Sequence, residues 1–60
     1  MNQAQLYRKL IKKGEFDKTQ QALSYYVSMG YIPYKEVDGK KEYRYKKVLL
    51  ALNSAGLIRN

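Results

Sequence analysis

The sixty-residue chain has no cysteine, no histidine, no tryptophan and a single proline. Without thiol or imidazole it lacks the usual zinc ligands, the common nucleophiles, and the side chain whose unperturbed pKa lies nearest neutrality. Such a composition argues against an enzyme and against a resident metal or organic cofactor. It also excludes a disulfide framework, the usual stabiliser of secreted domains this small, and so favours a reducing compartment: the cytoplasm of a bacterium or of a phage-infected host. The longest apolar run, Val48 to Leu52, falls far short of a membrane span or a signal-peptide core, so neither export nor membrane insertion is expected.

Acidic residues are also scarce, five against twelve Lys and Arg, for a net charge of +7. That excess points toward a polyanion, with nucleic acid the first choice and an anionic membrane surface the second. The plainer alternative is that lysine keeps a small protein in solution. Size narrows the choice further, because a chain of this length hides only about 60% of its unfolded surface. One small domain over residues 1–60 is expected, with a single core cluster and no deep substrate pocket.

Along the chain, Leu6, Tyr7, Leu10 and Ile11 make one apolar stripe at helical spacing, which predicts a first helix over residues 3 to 13. Lys12 and Lys13 suit the dipole of its last turn, and Gly14 can end it. After a short Gly14-Glu15-Phe16 link, Asp17 or Thr19 can cap a second helix, with Gln20 placed to complete a capping box with Asp17. That helix is predicted to reach Met29 and to bury Ala22, Leu23, Tyr26, Val27 and Met29, with Gly30 as its stop.

Asp38-Gly39 between two extended segments is the preferred sequence of a two-residue hairpin turn. Pairing outward from it sets Val37 opposite Lys40, Glu36 opposite Lys41, Lys35 opposite Glu42 and Tyr34 opposite Tyr43. This register pairs two lysines with acids and one ring with another, each pair worth about 0.2–1 kcal/mol. The second strand is taken to run to Tyr45. Val48, Leu49, Leu52 and Ala55, with Leu50 and Ala51 widening the band, then predict a third helix over residues 46 to 55. Gly56 can close it and Leu57 can fold back on Leu52. Lys46 and Lys47 at its start oppose the helix dipole, which is tolerated if they face an external anion or simply water. The expected fold is therefore mostly α with a β-hairpin wing, in the order helix, helix, hairpin, helix of a small winged helix-turn-helix.

The stretch Leu23-Ser24-Tyr25-Tyr26-Val27-Ser28-Met29-Gly30-Tyr31-Ile32-Pro33 resembles the recognition-helix signature of MerR-like winged-helix proteins and the related phage excisionases. Leu23, Tyr25, Tyr26, Gly30, Ile32 and Pro33 match that pattern, and Tyr43-Arg44 falls where the family's wing carries a Tyr-Arg pair. The likeness covers about residues 17 to 52. It implies a second helix in the major groove and a wing arginine on phosphate. Ser24 stands where the family usually has Arg, the link between the first two helices is longer than its usual turn, and Lys46 and Lys47 replace its acidic residues. The effector-binding coiled coil of full-length MerR regulators has no counterpart, so no small-molecule effector is expected.

On this reading Thr19, Gln20, Gln21, Ser24, Tyr25 and Ser28 are the candidate base contacts, since Gln can pair with adenine and Ser with either kind of base pair. Lys18, Lys40 and Arg44 are the favoured phosphate contacts, with Lys12 and Lys13 as further ones, because Lys35 and Lys41 are expected to be held by acids within the hairpin. Six phosphate contacts would give a salt slope near −5, at about 0.9 per contact. Most tyrosines read as core, and Tyr25, Tyr31 and Tyr45 could instead stack on unpaired bases.

The expected partner is double-stranded DNA, bound with the help of self-association or of a partner such as an integrase or recombinase, because one module of this size buries only about 600–1,000 Å². The resemblance implies an excisionase or recombination directionality factor of a phage or mobile element, and a small transcriptional repressor is the nearest variant. A rival reading makes the chain a protein-interaction module that redirects a larger DNA-acting protein, with Leu57 and Ile58 as its apolar contact. An RNA- or ribosome-associated role ranks below both.

Overall fold

Asn2 starts the first helix by exchanging bonds with Gln5: its side chain accepts from the Gln5 N–H at 2.8 Å, and the Gln5 side chain accepts from the Asn2 N–H at 3.0 Å. The arrangement is seen in a computed structural model that describes residues 1–58. The elements are α1 (Gln3–Lys12), α2 (Gln20–Ser28), β1 (Lys35–Val37), β2 (Lys40–Glu42) and α3 (Tyr45–Ser54). Thr19 caps α2, its hydroxyl accepting from the Ala22 N–H at 3.1 Å. Asp17 does not take part, so the expected Asp17–Gln20 capping box is absent.

All three helices end alike. Gly14, Gly30 and Gly56 hold φ of +69°, +82° and +73°, and the following residue donates to a carbonyl five positions back: Glu15 to Leu10, Tyr31 to Tyr26 and Leu57 to Leu52, at 2.9–3.0 Å. The hairpin has the register expected from its turn, with Lys35, Glu36 and Val37 opposite Glu42, Lys41 and Lys40. Asp38 and Gly39 have φ of +51° and +75°, as a two-residue turn of this hand requires.

The core is one cluster: Leu6 and Leu10 from α1, Leu23 and Val27 from α2, Val48 and Leu52 from α3, and Phe16, Ile32 and Tyr43 from the connections. Phe16, read from the sequence as part of a link, is only 4% exposed and sets its ring edge-to-face with Tyr7 at 6.2 Å and Tyr26 at 6.3 Å. The extra length between α1 and α2 thus delivers an apolar side chain into the core.

Four expectations need correction. Met29 is half exposed, because it keeps helical geometry as the cap and at 100° per residue falls on the side of α2 away from Leu23 and Val27. Leu50 lies 67% exposed and Ile11 40%, since the stripes that meet the core are narrower than the runs of apolar residues. Tyr45 begins α3 instead of ending a strand, which makes Arg44 the uncapped N-cap of that helix and shortens the hairpin to three residues a side.

The fourth concerns charge: among the described residues the ion pair present joins the Met1 ammonium to Glu42 at 3.2 Å, and neither Lys35 nor Lys41 is held by an acid. Exposed cross-strand pairs gain little in water, and Lys41 lies instead over the Tyr34 ring at 5.0 Å. No helix among the described residues is long and apolar enough to cross a membrane.

Candidate nucleic-acid interface

At 100° per residue, the side of α2 away from Leu23 and Val27 carries Gln21, Ser24, Tyr25 and Ser28, whereas Gln20 lies on the Val27 side and is exposed because it begins the helix; all five are exposed and none is charged. The members of this row differ in how free they are. Ser24 Oγ accepts from Gln3 Nε2, and the Ser28 hydroxyl donates back to the Ser24 carbonyl at 3.1 Å. Thr19 is occupied as the cap. Gln20, Gln21 and Tyr25 have side chains that meet none of these bonds, so the outward-reaching set is smaller than the six residues singled out from sequence.

Gln3 gives α2 its place beside the hairpin. Its amide donates to Ser24, and its carbonyl oxygen accepts from the Tyr43 hydroxyl at 3.4 Å. Tyr43 packs its ring on Tyr34 at 6.0 Å, and the backbone N–H of Tyr43 donates to the Met1 carbonyl at 2.9 Å. Tyr34 in turn borders a cleft of about 240 Å³ with Pro33, Lys35, Glu42, Arg44 and Lys47. A chain of contacts therefore links the polar row of α2, through Gln3 and the buried Tyr43, to Tyr34 and a cleft lined by three cations and Glu42. Lys35 and Lys47 join the site through this cleft, and neither stood among the favoured contacts.

Lys40 and Lys41 lie on the hairpin next to Asp38, Glu36 and Glu42, so residues 35–42 balance three lysines against three acids. Lys18 is exposed just before α2, where its carbonyl accepts from the Tyr7 hydroxyl at 2.9 Å. Lys12 and Lys13 do not flank α2: Lys13 reaches the Tyr45 ring of α3 at 5.5 Å, and Lys12 lies on the solvent side of α1. Leu57 and Ile58 are half-buried against the core instead of forming a free apolar tail. Tyr25 and Tyr31 stay exposed, each packed edgewise on Tyr26, at 5.9 and 6.2 Å.

Burial raises the Tyr43 hydroxyl above the ordinary tyrosine value of about 10, and the neighbouring Tyr34 adds to the effect. A raised folded-state value means that Tyr43 contributes stability in full below about pH 10 and loses it as the phenol ionises above that. The thermal midpoint should therefore fall from about pH 9 to about pH 11, and Tyr43→Phe should fall less steeply over the same range. Parallel curves for the two proteins would refute that assignment.

Among the described residues no three acidic side chains gather to hold a metal ion. No protein-family model, curated protein or solved structure matches the chain.

Proposed function

We propose that this chain is a small DNA-binding protein of winged helix-turn-helix type, similar to MerR-like excisionases, which serves as an accessory or directionality factor in recombination. Its α2 enters the major groove, where Gln20 and Gln21 read base edges and Tyr25 meets a thymine methyl or the sugar edge. Lys35, Arg44 and Lys47 hold the backbone beside it, and Lys18 holds the backbone at the start of α2. The observation that carries this reading is the union of an uncharged hydrogen-bonding row on α2 with a three-cation cleft through Gln3. Groove reading and phosphate holding are separate tasks, and here they fall to separate residues held in a common frame. The helix order and the acid-free helices support the same assignment.

A second reading is favoured by one feature, the exposed Tyr25, Met29 and Tyr31 at the end of α2. That patch suits a partner protein such as a recombinase, and the chain would then redirect its partner with little DNA contact of its own.

Selection of a preferred site from random duplexes, followed by affinity measurement on preferred and scrambled sequences, separates the two. Gln20→Ala with Gln21→Ala is expected to cut discrimination by about 1–3 kcal/mol for each base pair read, while leaving affinity for scrambled duplex almost unchanged. If the unaltered chain binds no duplex even at low salt and instead copurifies in fixed ratio with a recombinase, the DNA-reading proposal is lost.

A further inference from the structure

The net charge of +7 is not spread over the molecule. α1 with its cap carries Arg8, Lys9, Lys12 and Lys13, the start of α3 carries Arg44, Lys46 and Lys47, and neither stretch contains an acid. These seven cations equal the whole excess, while the hairpin is balanced, and Lys18 and Arg59 offset Glu15 and Asp17. Arg44 and Lys47 belong to the cleft already described. The cations of α1, with Lys46, do not.

Four contacts orient that second group. Gln3 and Tyr7, on one flank of α1, reach Ser24 and the Lys18 carbonyl, so this flank faces α2. Lys9 and Lys13, one turn apart on the other flank, set their ammonium groups 4.5 and 5.5 Å from the centre of the Tyr45 ring on α3. Arg8 and Lys12 lie between, on the side of α1 opposite Leu6 and Leu10, both exposed. The basic face is therefore turned toward α3 and away from α2. A straight duplex seated on α2 leaves it uncovered.

The Tyr45 ring gives these lysines a position without neutralising them. A ring face attracts an ammonium group for about 0.5–1 kcal/mol at an exposed site but carries no net charge. Like charges one turn apart on a helix repel, so a folded surface that gathers four of them with no acid among them is one an external polyanion stabilises. The face also has the wrong make-up for a bilayer, which needs Trp, Phe or Leu beside the basic residues. Gln5, Arg8, Lys9, Lys12 and Lys13 are its exposed members, and Ile11 stands on the flank nearer α2.

We infer that Arg8, Lys9, Lys12 and Lys13 form a second, sequence-independent DNA surface that takes a separate duplex segment, so that one chain joins two segments. The inference rests on the DNA-binding reading above and adds to it a bridging role. A protein that both reads a site and draws in a second segment suits an assembly in which distant sites must be brought together.

Short duplexes of about one helical turn, too short to wrap from one face to the other, provide the test. One duplex is fixed to beads and loaded with protein, a second labelled duplex is offered at low salt, and sedimentation of the free mixture gives duplexes bound per chain. Two duplexes per chain are expected, together with capture of the labelled one. Replacing Arg8, Lys9, Lys12 and Lys13 by Gln should lower capture about tenfold or more while leaving the first duplex bound within a few-fold. Arg8→Gln with Lys12→Gln, which leaves the contacts to Tyr45 in place, should produce an intermediate loss, and far-UV circular dichroism checks that both variants fold.

Saturation at one duplex per chain overturns the second surface and leaves the first reading intact. Capture unchanged in the fourfold variant overturns it too, as does preference of this face for phosphatidylserine vesicles or polyglutamate over duplex. Failure of the unaltered chain to bind any duplex overturns the DNA reading itself, and this inference falls with it.

Discussion

Phe16→Ala is expected to unfold the domain. The ring is 4% exposed and is held edge-to-face between Tyr7 and Tyr26, so its removal empties the space where the α1–α2 connection meets both helices. Truncating a buried Phe costs about 3–5 kcal/mol. A chain of this length has about 3–9 kcal/mol in all, at roughly 0.05–0.15 kcal/mol per residue, so the loss is comparable with the total. In a urea titration followed by circular dichroism, the variant should lack a folded baseline at room temperature.

Phe16→Leu, which keeps most of the volume, should cost less than about 1.5 kcal/mol and retain a cooperative transition. An unchanged urea midpoint for Phe16→Ala would show that the ring contributes no packing energy. The same packing sets how α1 lies on α2, and Gln3 can reach Ser24 only when it holds, so loss of Phe16 also dismantles the proposed reading surface.

The second large effect is electrostatic. Replacing Lys35, Arg44 and Lys47 together by Gln should flatten the dependence of log affinity on log salt by about 2.7, at about 0.9 per phosphate contact. Over the range from about 50 to 200 mM salt, the unaltered chain should lose about 40-fold more affinity than the variant does. The loss should be the same on preferred and scrambled duplexes, because phosphate contacts carry no sequence information.

Lys40→Gln with Lys41→Gln, hairpin lysines that do not line the cleft, serves as the comparison and should change the slope less per charge removed. Fluorescence anisotropy on a labelled duplex over a salt series measures both. Equal flattening per charge in the two variants would argue against a special role for the cleft.

These two cases differ in how far the chain itself foretold them. Asp38-Gly39 specifies a turn by the φ values its two residues accept, and pairing outward from it produced the observed register without any knowledge of the core. The helix ends at Gly14, Gly30 and Gly56 were legible for the same local reason. Phe16 was not, because a single aromatic in a polar link has no periodicity with its neighbours, and only Tyr7 and Tyr26, far from it in order, make it core. The polar row of α2 was legible as a row. That Gln3 occupies Ser24 and links it to Tyr43 depends on contacts across 21 and 40 positions of the chain.

Charge shows the division most plainly. The order of residues alone determined that the chain is basic, that it lacks the residues of most active sites, and that its elements run helix, helix, hairpin, helix, because these follow from residue counts and from spacings within one or two turns. Which charges are free was decided only in three dimensions. Cross-strand acids were expected to hold Lys35 and Lys41, yet exposed pairs in water gain too little to hold long side chains together, and Glu42 meets the Met1 ammonium instead. Tyr45, counted toward a strand, became the first residue of α3 and the support for Lys9 and Lys13. Local spacing specifies backbone conformation because its forces act over a few residues. The partner of a long flexible cation is chosen by whatever the tertiary fold brings near it.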